Sequence, residues 1–154
     1  MTFADNIIVM DQGEVVQAGS PKDLFERPQT TFVGYFIGSP AMNLYKCSPS
    51  SENEISIGAK SFKVQTNIKN SSSENFKLGI RSEYITVENK HSDNSLEADI
   101  IEVEDFGNYK LITASFESFK IKAKVKRELE IPSEKIILKL PAEHCCIYED
   151  NKLI

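Results

Sequence analysis

The chain of 154 residues sets 18 basic against 23 acidic side chains, for a net charge of −5, with 40% hydrophobic and 27% charged residues. That balance suits a soluble globular protein of one domain or two small ones and argues against a nucleic-acid or anionic-membrane binder. No apolar run approaches the roughly 20 residues of a membrane helix, and Met1-Thr2-Phe3-Ala4-Asp5 lacks the basic lead of a signal peptide. Cys47, Cys145 and Cys146 form no even disulfide framework, so buried thiols in a reducing, cytosolic compartment are expected.

Ile7-Ile8-Val9-Met10, Asp11-Gln12-Gly13 and Glu14-Val15-Val16-Gln17-Ala18 read as strand, turn and strand. Ser20 can cap a helix whose first position suits Pro21 and whose Asp23 can return the hydrogen bond; Leu24 and Phe25 supply its apolar side and Pro28 ends it. Thr30 or Thr31 can cap a second helix. Its Phe32, Val33, Phe36 and Ile37 are expected on one face, with Gly38 as C-terminal cap and Pro40 as the stop. Ala41 to Tyr45 then looks extended.

Beyond this point the chain turns to short strands: Glu54 to Ile57, Ser61 to Gln65, Phe76 to Ile80, Tyr84 to Glu88, Leu96 to Glu104, Phe119 to Lys126, Ile136 to Leu140 and His144 to Tyr148. Polar connections are expected at Pro49 to Glu54, Asn70 to Asn75 and His91 to Ser95. In Phe119 to Lys126, apolar residues and lysines alternate strictly, so one face is buried and the other solvated. Many closely spaced strands predict a small barrel or sandwich, and no repeat of fixed period is evident.

Few residues carry chemistry. Gly58-Ala59-Lys60-Ser61 has the end of a phosphate-binding loop but lacks its earlier glycine, position 53 being Asn53, and it lies between strands; it reads as a hairpin turn. His144-Cys145-Cys146 falls short of a four-ligand metal set, His91 being the other histidine. Lys120, Lys122, Lys124, Lys126 and Arg127 could track a nucleic-acid backbone with Phe116 and Phe119 as stacking platforms. Phe119 falls on the apolar face, however, and a lysine row that guards a strand edge is the better reading. Gly79-Ile80-Arg81-Ser82-Glu83 ends a strand in a turn carrying Arg and Glu: either a surface turn with a weak ion pair or a recognition loop. Asp105-Phe106-Gly107-Asn108 is a similar turn.

The lead segment is more specific. Met1 to Met10, Gly13, Gln17, Gly19, Pro21 and Phe32-Val33-Gly34-Tyr35-Phe36-Ile37-Gly38-Ser39-Pro40-Ala41-Met42-Asn43-Leu44 closely resemble the end of the nucleotide-binding domain in ATP-binding subunits of ABC importers. The branch is the one serving sugars and sugar-like solutes, including maltose and glycerol 3-phosphate. Leu78-Gly79-Ile80-Arg81-Ser82-Glu83 resembles the "LGIRPE" motif of the C-terminal regulatory TOBE domain, with Ser82 in place of the proline. Glu104-Asp105-Phe106-Gly107 resembles "ExLG", and Ile147-Tyr148-Glu149-Asp150 resembles the closing strand.

The resemblance implies a mainly β fold. Residues 1–40 would be a remnant of the ATPase domain with a linker helix (Phe32, Phe36, Gly38, Pro40), and residues 41–154 an OB-like regulatory barrel. Gly79, Arg81, Glu83, Glu104, Phe106 and Gly107 are the candidate regulatory or interface residues. The phosphate-binding loop, signature motif, catalytic glutamate and switch histidine of the family are not among these residues. The chain is therefore expected not to hydrolyse ATP and to hold no cofactor or metal, ATP and Mg²⁺ belonging to the parent subunit. It reads as a fragment or the tail of a disrupted gene. The resemblance further implies a homodimer through the regulatory domain, permease subunits met through the rest of the ATPase domain, and a regulatory protein or metabolite as effector. It places the protein at the inner face of the membrane, without nucleic acid. The alternative is a free-standing OB-like module for a small oxyanion or single-stranded nucleic acid.

Overall fold

Residues 4–154 are described by a computed structural model; Met1, Thr2 and Phe3, which begin the resembling stretch, lie outside the described residues. The lead segment forms a hairpin, β1 (Ile7–Asp11) and β2 (Glu14–Gly19), then helices α1 (Pro21–Glu26) and α2 (Thr31–Phe36). Ser20 caps α1 by accepting from the Asp23 N–H, and its hydroxyl donates to the Asp23 carboxylate at 2.6 Å. Thr30, rather than Thr31, caps α2 through the Val33 N–H. Gly38 follows α2 at φ +102°, the left-handed conformation that a glycine takes without steric cost. Val9, Leu24, Val33 and Ile37 form a small apolar core of their own.

The expected apolar face of α2 is corrected here. Val33 and Ile37 are buried, but Phe36 is 66% exposed and Phe32 37%. Six residues make too short a helix to bury both flanks, and the two phenylalanines instead stack on each other at 5.7 Å.

The remainder is built from two sheets. One has the order β13-β12-β6-β3-β4-β5, from β3 (Asn43–Ser51), β4 (Glu54–Ile57), β5 (Lys60–Lys63), β6 (Phe76–Ile80), β12 (Cys146–Glu149) and β13 (Lys152–Leu153). The other has the order β10-β9-β8-β11-β7, from β7 (Thr86–Glu88), β8 (Ser95–Asp105), β9 (Tyr109–Phe116), β10 (Phe119–Lys126) and β11 (Lys135–Lys139). Their inner faces share one core that includes Ile55, Phe62, Leu78, Ile112, Ile121, Leu138 and Ile147. The alternation in Phe119 to Lys126 holds: Ile121 and Ala123 are buried, while Lys120, Lys122 and Lys126 are exposed.

The chain does contain a repeat, with a spacing that drifts along it. Gly79 pairs with Cys146 and Leu78 with Ile147; in the other sheet Lys139 pairs with Thr86 and Leu138 with Val87. Leu44 lies opposite Gly79 as Ser95 lies opposite Lys139. Both long hairpins shift register at the same place, between Pro49 and Ser51 and between Ile100 and Glu102. Thus β3–β7 and β8–β12 are two copies of one unit that exchange their last strands. Each crosses between sheets through a one-turn 3-10 helix, Ser82–Tyr84 or Ala142–His144. These turns replace the beginnings of the strands expected at Tyr84 and His144. Strand β3 also runs to Ser51, further than expected, because its bulge carries it past Pro49.

Strand β9 has no sequence signature. Leu111, Ile112, Thr113 and Ala114 are all buried, so the strand shows no period-2 alternation. Among the described residues no helix is long and apolar enough to cross a membrane.

Candidate functional site

Arg81 leaves the end of β6 and points at the lead segment. Its Nε donates to the Phe25 carbonyl at 2.9 Å, and Nη1 to the carbonyls of Gly34, at 2.8 Å, and Ile37. These acceptors belong to the end of α1 and the last turn of α2, where helix carbonyls lack intrahelical partners and carry partial negative charge. The guanidinium also lies over the Phe25 ring, 4.4 Å from its centroid. Arg81 is only 1% exposed. Burial lowers its pKa, and neighbouring Glu83 opposes that shift.

The surface-turn reading of Gly79 to Glu83 is therefore overturned: Arg81 and Ser82 are buried between the lead segment and the barrel. Glu83 reaches Lys124 of β10 at 3.8 Å. Among the described residues, Arg81 Nη2 and Glu83 Oε2 are buried without a hydrogen-bond partner. Gly79 is needed for close approach: a Cβ there would stand 2.6 Å from Met42 Sδ and 2.9 Å from Tyr148 Cε2.

Other contacts fasten the same junction. The Tyr148 hydroxyl donates to the Pro28 carbonyl at 2.8 Å. Residues 151–153 pair with the connection between the helices, with Thr31 N–H donating to the Asn151 carbonyl at 3.1 Å and Leu153 N–H to that of Gln29 at 2.9 Å. A polar cleft of about 640 Å³ opens beside Arg81 and is lined by Arg27, Tyr84, Glu143, His144 and Cys146. Tyr84 and His144, equivalent residues of the two repeats, stack there at 3.9 Å.

Glu104, Phe106 and Gly107 lie elsewhere, along and at the tip of the β8–β9 hairpin. Gly107 takes φ +88° and donates to Asp105 at 2.8 Å, Arg127 bonds the same carboxylate at 3.1 Å, and these two donors hold the Asp105 pKa below its ordinary value. Phe106 is half exposed and stacks on Tyr109 at 4.9 Å. The structure thus brings Gly79, Arg81 and Glu83 together with Gly38 of the linker, whose Cβ would stand 3.1 Å from Arg81 Nη1. Pro40 follows Ser39 through a cis peptide.

Sequence reasoning missed Tyr148 as a tie and the buried pair Asn43 and Asn94; matching Asn43-Leu44-Tyr45 to Asn94-Ser95-Leu96 was the available signal. Among the described residues no three His, Cys, Asp or Glu side chains gather as a metal set. The Gly58 turn does not fit a nucleotide phosphate, because the Ala59 N–H donates to the Glu117 carboxylate at 3.0 Å, putting an acid where an anion would bind.

No family model matches the chain. It is 38% identical over 112 residues to the sn-glycerol-3-phosphate import ATP-binding protein UgpC of Vibrio cholerae, covering 73% of this chain and 30% of that protein. It is 32% identical over 152 residues to UgpC 2 of Agrobacterium fabrum, covering 97% and 40%. The maltose/maltodextrin import ATP-binding protein MalK of Vibrio cholerae is 36% identical over 121 residues, covering 70% and 30%. The chain thus spans well under half the length of these curated relatives. Among solved structures, the cytoplasmic molybdate-binding protein ModG matches with a TM-score of 0.54 at 10% identity, covering 68% of this chain and 94% of that one. That match, with the strand order above, makes the fold a mainly β, OB-like barrel of the TOBE type.

Proposed function

We propose that this chain, whose curated homologues are the ATP-binding subunits of ABC importers for sugars and glycerol 3-phosphate, is the regulatory and dimerisation module of such a subunit. The observation that carries the reading is the Arg81 junction. One guanidinium grips the ends of both lead helices, so a displacement of those helices is passed to the barrel without slack. A connection of that kind suits a module that must follow, or restrain, an ATPase body opening and closing. An effector acts here only by binding one arrangement better than another.

The outer side of the lead segment supports the same reading. Ile8, Met10 and Val15 on the hairpin, and Tyr35 and Phe36 on α2, stand more than half exposed. This is the apolar surface that the body of an ATPase domain would cover. By itself the chain turns over no ATP; nucleotide and Mg²⁺ belong to the rest of the parent subunit. Permease subunits are its partners through that body, which holds it at the cytoplasmic face of the membrane.

The test is an ATPase assay combined with sedimentation of the purified chain. Absence of turnover with reversible self-association supports the reading. Turnover by this chain alone, or a strict monomer that binds single-stranded oligonucleotides with a steep salt slope, overturns it.

A further inference from the structure

The cleft beside Arg81 is walled by both parts of the molecule. Glu26 and Arg27 come from the end of α1, Arg81 and Tyr84 from the first crossing turn, and Glu143 and His144 from the second. Its volume of about 640 Å³ lies within the roughly 300–1,000 Å³ of small-molecule sites.

The walls offer three kinds of contact. Tyr84 and His144 stack at 3.9 Å with their planes 4° apart, and His144 is exposed, so a further ring can extend the stack. Arg27 and Arg81 converge on Cys146: burial raises the pKa of that thiol, and both guanidiniums oppose the shift. Arg81 donates Nε and Nη1 to backbone carbonyls. Its Nη2, buried without a partner among the described residues, is the donor it has left, and an unmet buried donor favours a ligand that brings an acceptor. The third contact is acidic. Among the described residues, Glu26 and Glu143 form no ion pair, and neither does Arg27.

We infer that this cleft binds a nucleoside monophosphate. The base extends the Tyr84–His144 stack, the phosphate meets Arg27 and Nη2 of Arg81, and the carboxylates of Glu26 and Glu143 accept from the ribose hydroxyls. Simpler ligands use only part of the wall. A bare oxyanion leaves the rings and carboxylates without a role, and a neutral sugar leaves the guanidiniums without one. The bound nucleotide spans the end of α1 and both crossing turns, so it favours the arrangement in which the lead helices are docked on the barrel. This inference rests on the reading of the chain as a regulatory module and names the class of its effector.

The test is isothermal titration calorimetry of the full chain with AMP, adenosine and inorganic phosphate, repeated on Arg27→Gln and His144→Ala. Stacking does not select the base, so AMP serves as the probe. Both substituted residues are exposed, and circular dichroism checks the fold. The expected result is saturable binding of AMP, about ten-fold or more tighter than of adenosine or phosphate. Arg27→Gln should weaken AMP about ten-fold and leave adenosine unchanged, whereas His144→Ala should weaken both about ten-fold. AMP should also slow hydrogen exchange in residues 20–37. Phosphate that binds as tightly as AMP, or variants that bind AMP as the wild type does, would overturn the nucleotide site. So would a lack of AMP binding up to about 1 mM. Each of these failures leaves the regulatory and dimerisation reading standing, since self-association and ATP turnover are measured separately.

Discussion

Asn43 and Asn94 occupy the same position in the two repeats and do the same work. The Asn43 side chain donates to the Lys122 carbonyl at 2.9 Å and accepts from the Lys122 N–H at 3.0 Å. Asn94 donates to the Lys63 carbonyl and accepts from the Lys63 N–H, both at 2.7 Å. Each amide holds the N–H and C=O of one residue of an edge strand from the opposite sheet, so β5 and β10 are fastened on the side that has no neighbouring strand. Both asparagines are nearly buried. Replacing either with leucine leaves a peptide N–H and C=O unpaired, at an expected cost of about 2–3 kcal/mol. Urea unfolding of Asn43→Leu and Asn94→Leu should show losses of similar size; a neutral result at either site would contradict the shared role.

Gly79 tests close packing. In Gly79→Ala the new methyl meets Met42 and the buried Tyr148 ring, and overpacking of this kind costs about 1–3 kcal/mol. Tyr148 also ties the linker, so the damage should spread to the lead segment. In Gly107→Ala the Cβ meets nothing, and the expected loss is only the about 1 kcal/mol of a left-handed alanine. Thermal unfolding of the pair should rank them in that order.

The thiols give a pH dependence. Burial pushes Cys47 and Cys145 up to about 12, while an unfolded thiol titrates near about 8.5. Between those values the unfolded chain loses protons that the native chain keeps, so stability is intact below about pH 8.5 and falls as pH rises toward 12. Disulfide reagents at about pH 8 should label these two cysteines only as fast as the protein unfolds. Rapid labelling of both in the native state would contradict their burial.

Local elements with strong local causes were legible in the sequence: the Ser20 and Thr30 caps, the Gly38 stop and the alternating β10. What escaped depended on distant partners. The β9 run Leu111 to Ala114 does not alternate: Ile112 and Ala114 enter the core, and Leu111 and Thr113 on the other face are buried as well. Phe32 and Phe36 look like core by spacing, yet the short α2 leaves them outside. Arg81 looked like a turn residue because the carbonyls it grips belong to Phe25, Gly34 and Ile37, far back in the chain. The repeat was masked by hairpins of unequal length: the first copy turns over Glu52 and Asn53, and the second continues through Val103 to Ile112 before its paired residues correspond again.

The central claim, that Arg81 joins the lead helices to the barrel, is tested most directly by hydrogen exchange on Arg81→Met. The substitution keeps an apolar stem and removes every donor to Phe25, Gly34 and Ile37. The expected result is that amides of residues 20–37 lose about 100-fold or more of their protection, corresponding to about 3 kcal/mol for a buried charged group with three acceptors, while β8 to β11 keep theirs. Unchanged protection in residues 20–37, or equal loss throughout the barrel, would contradict it.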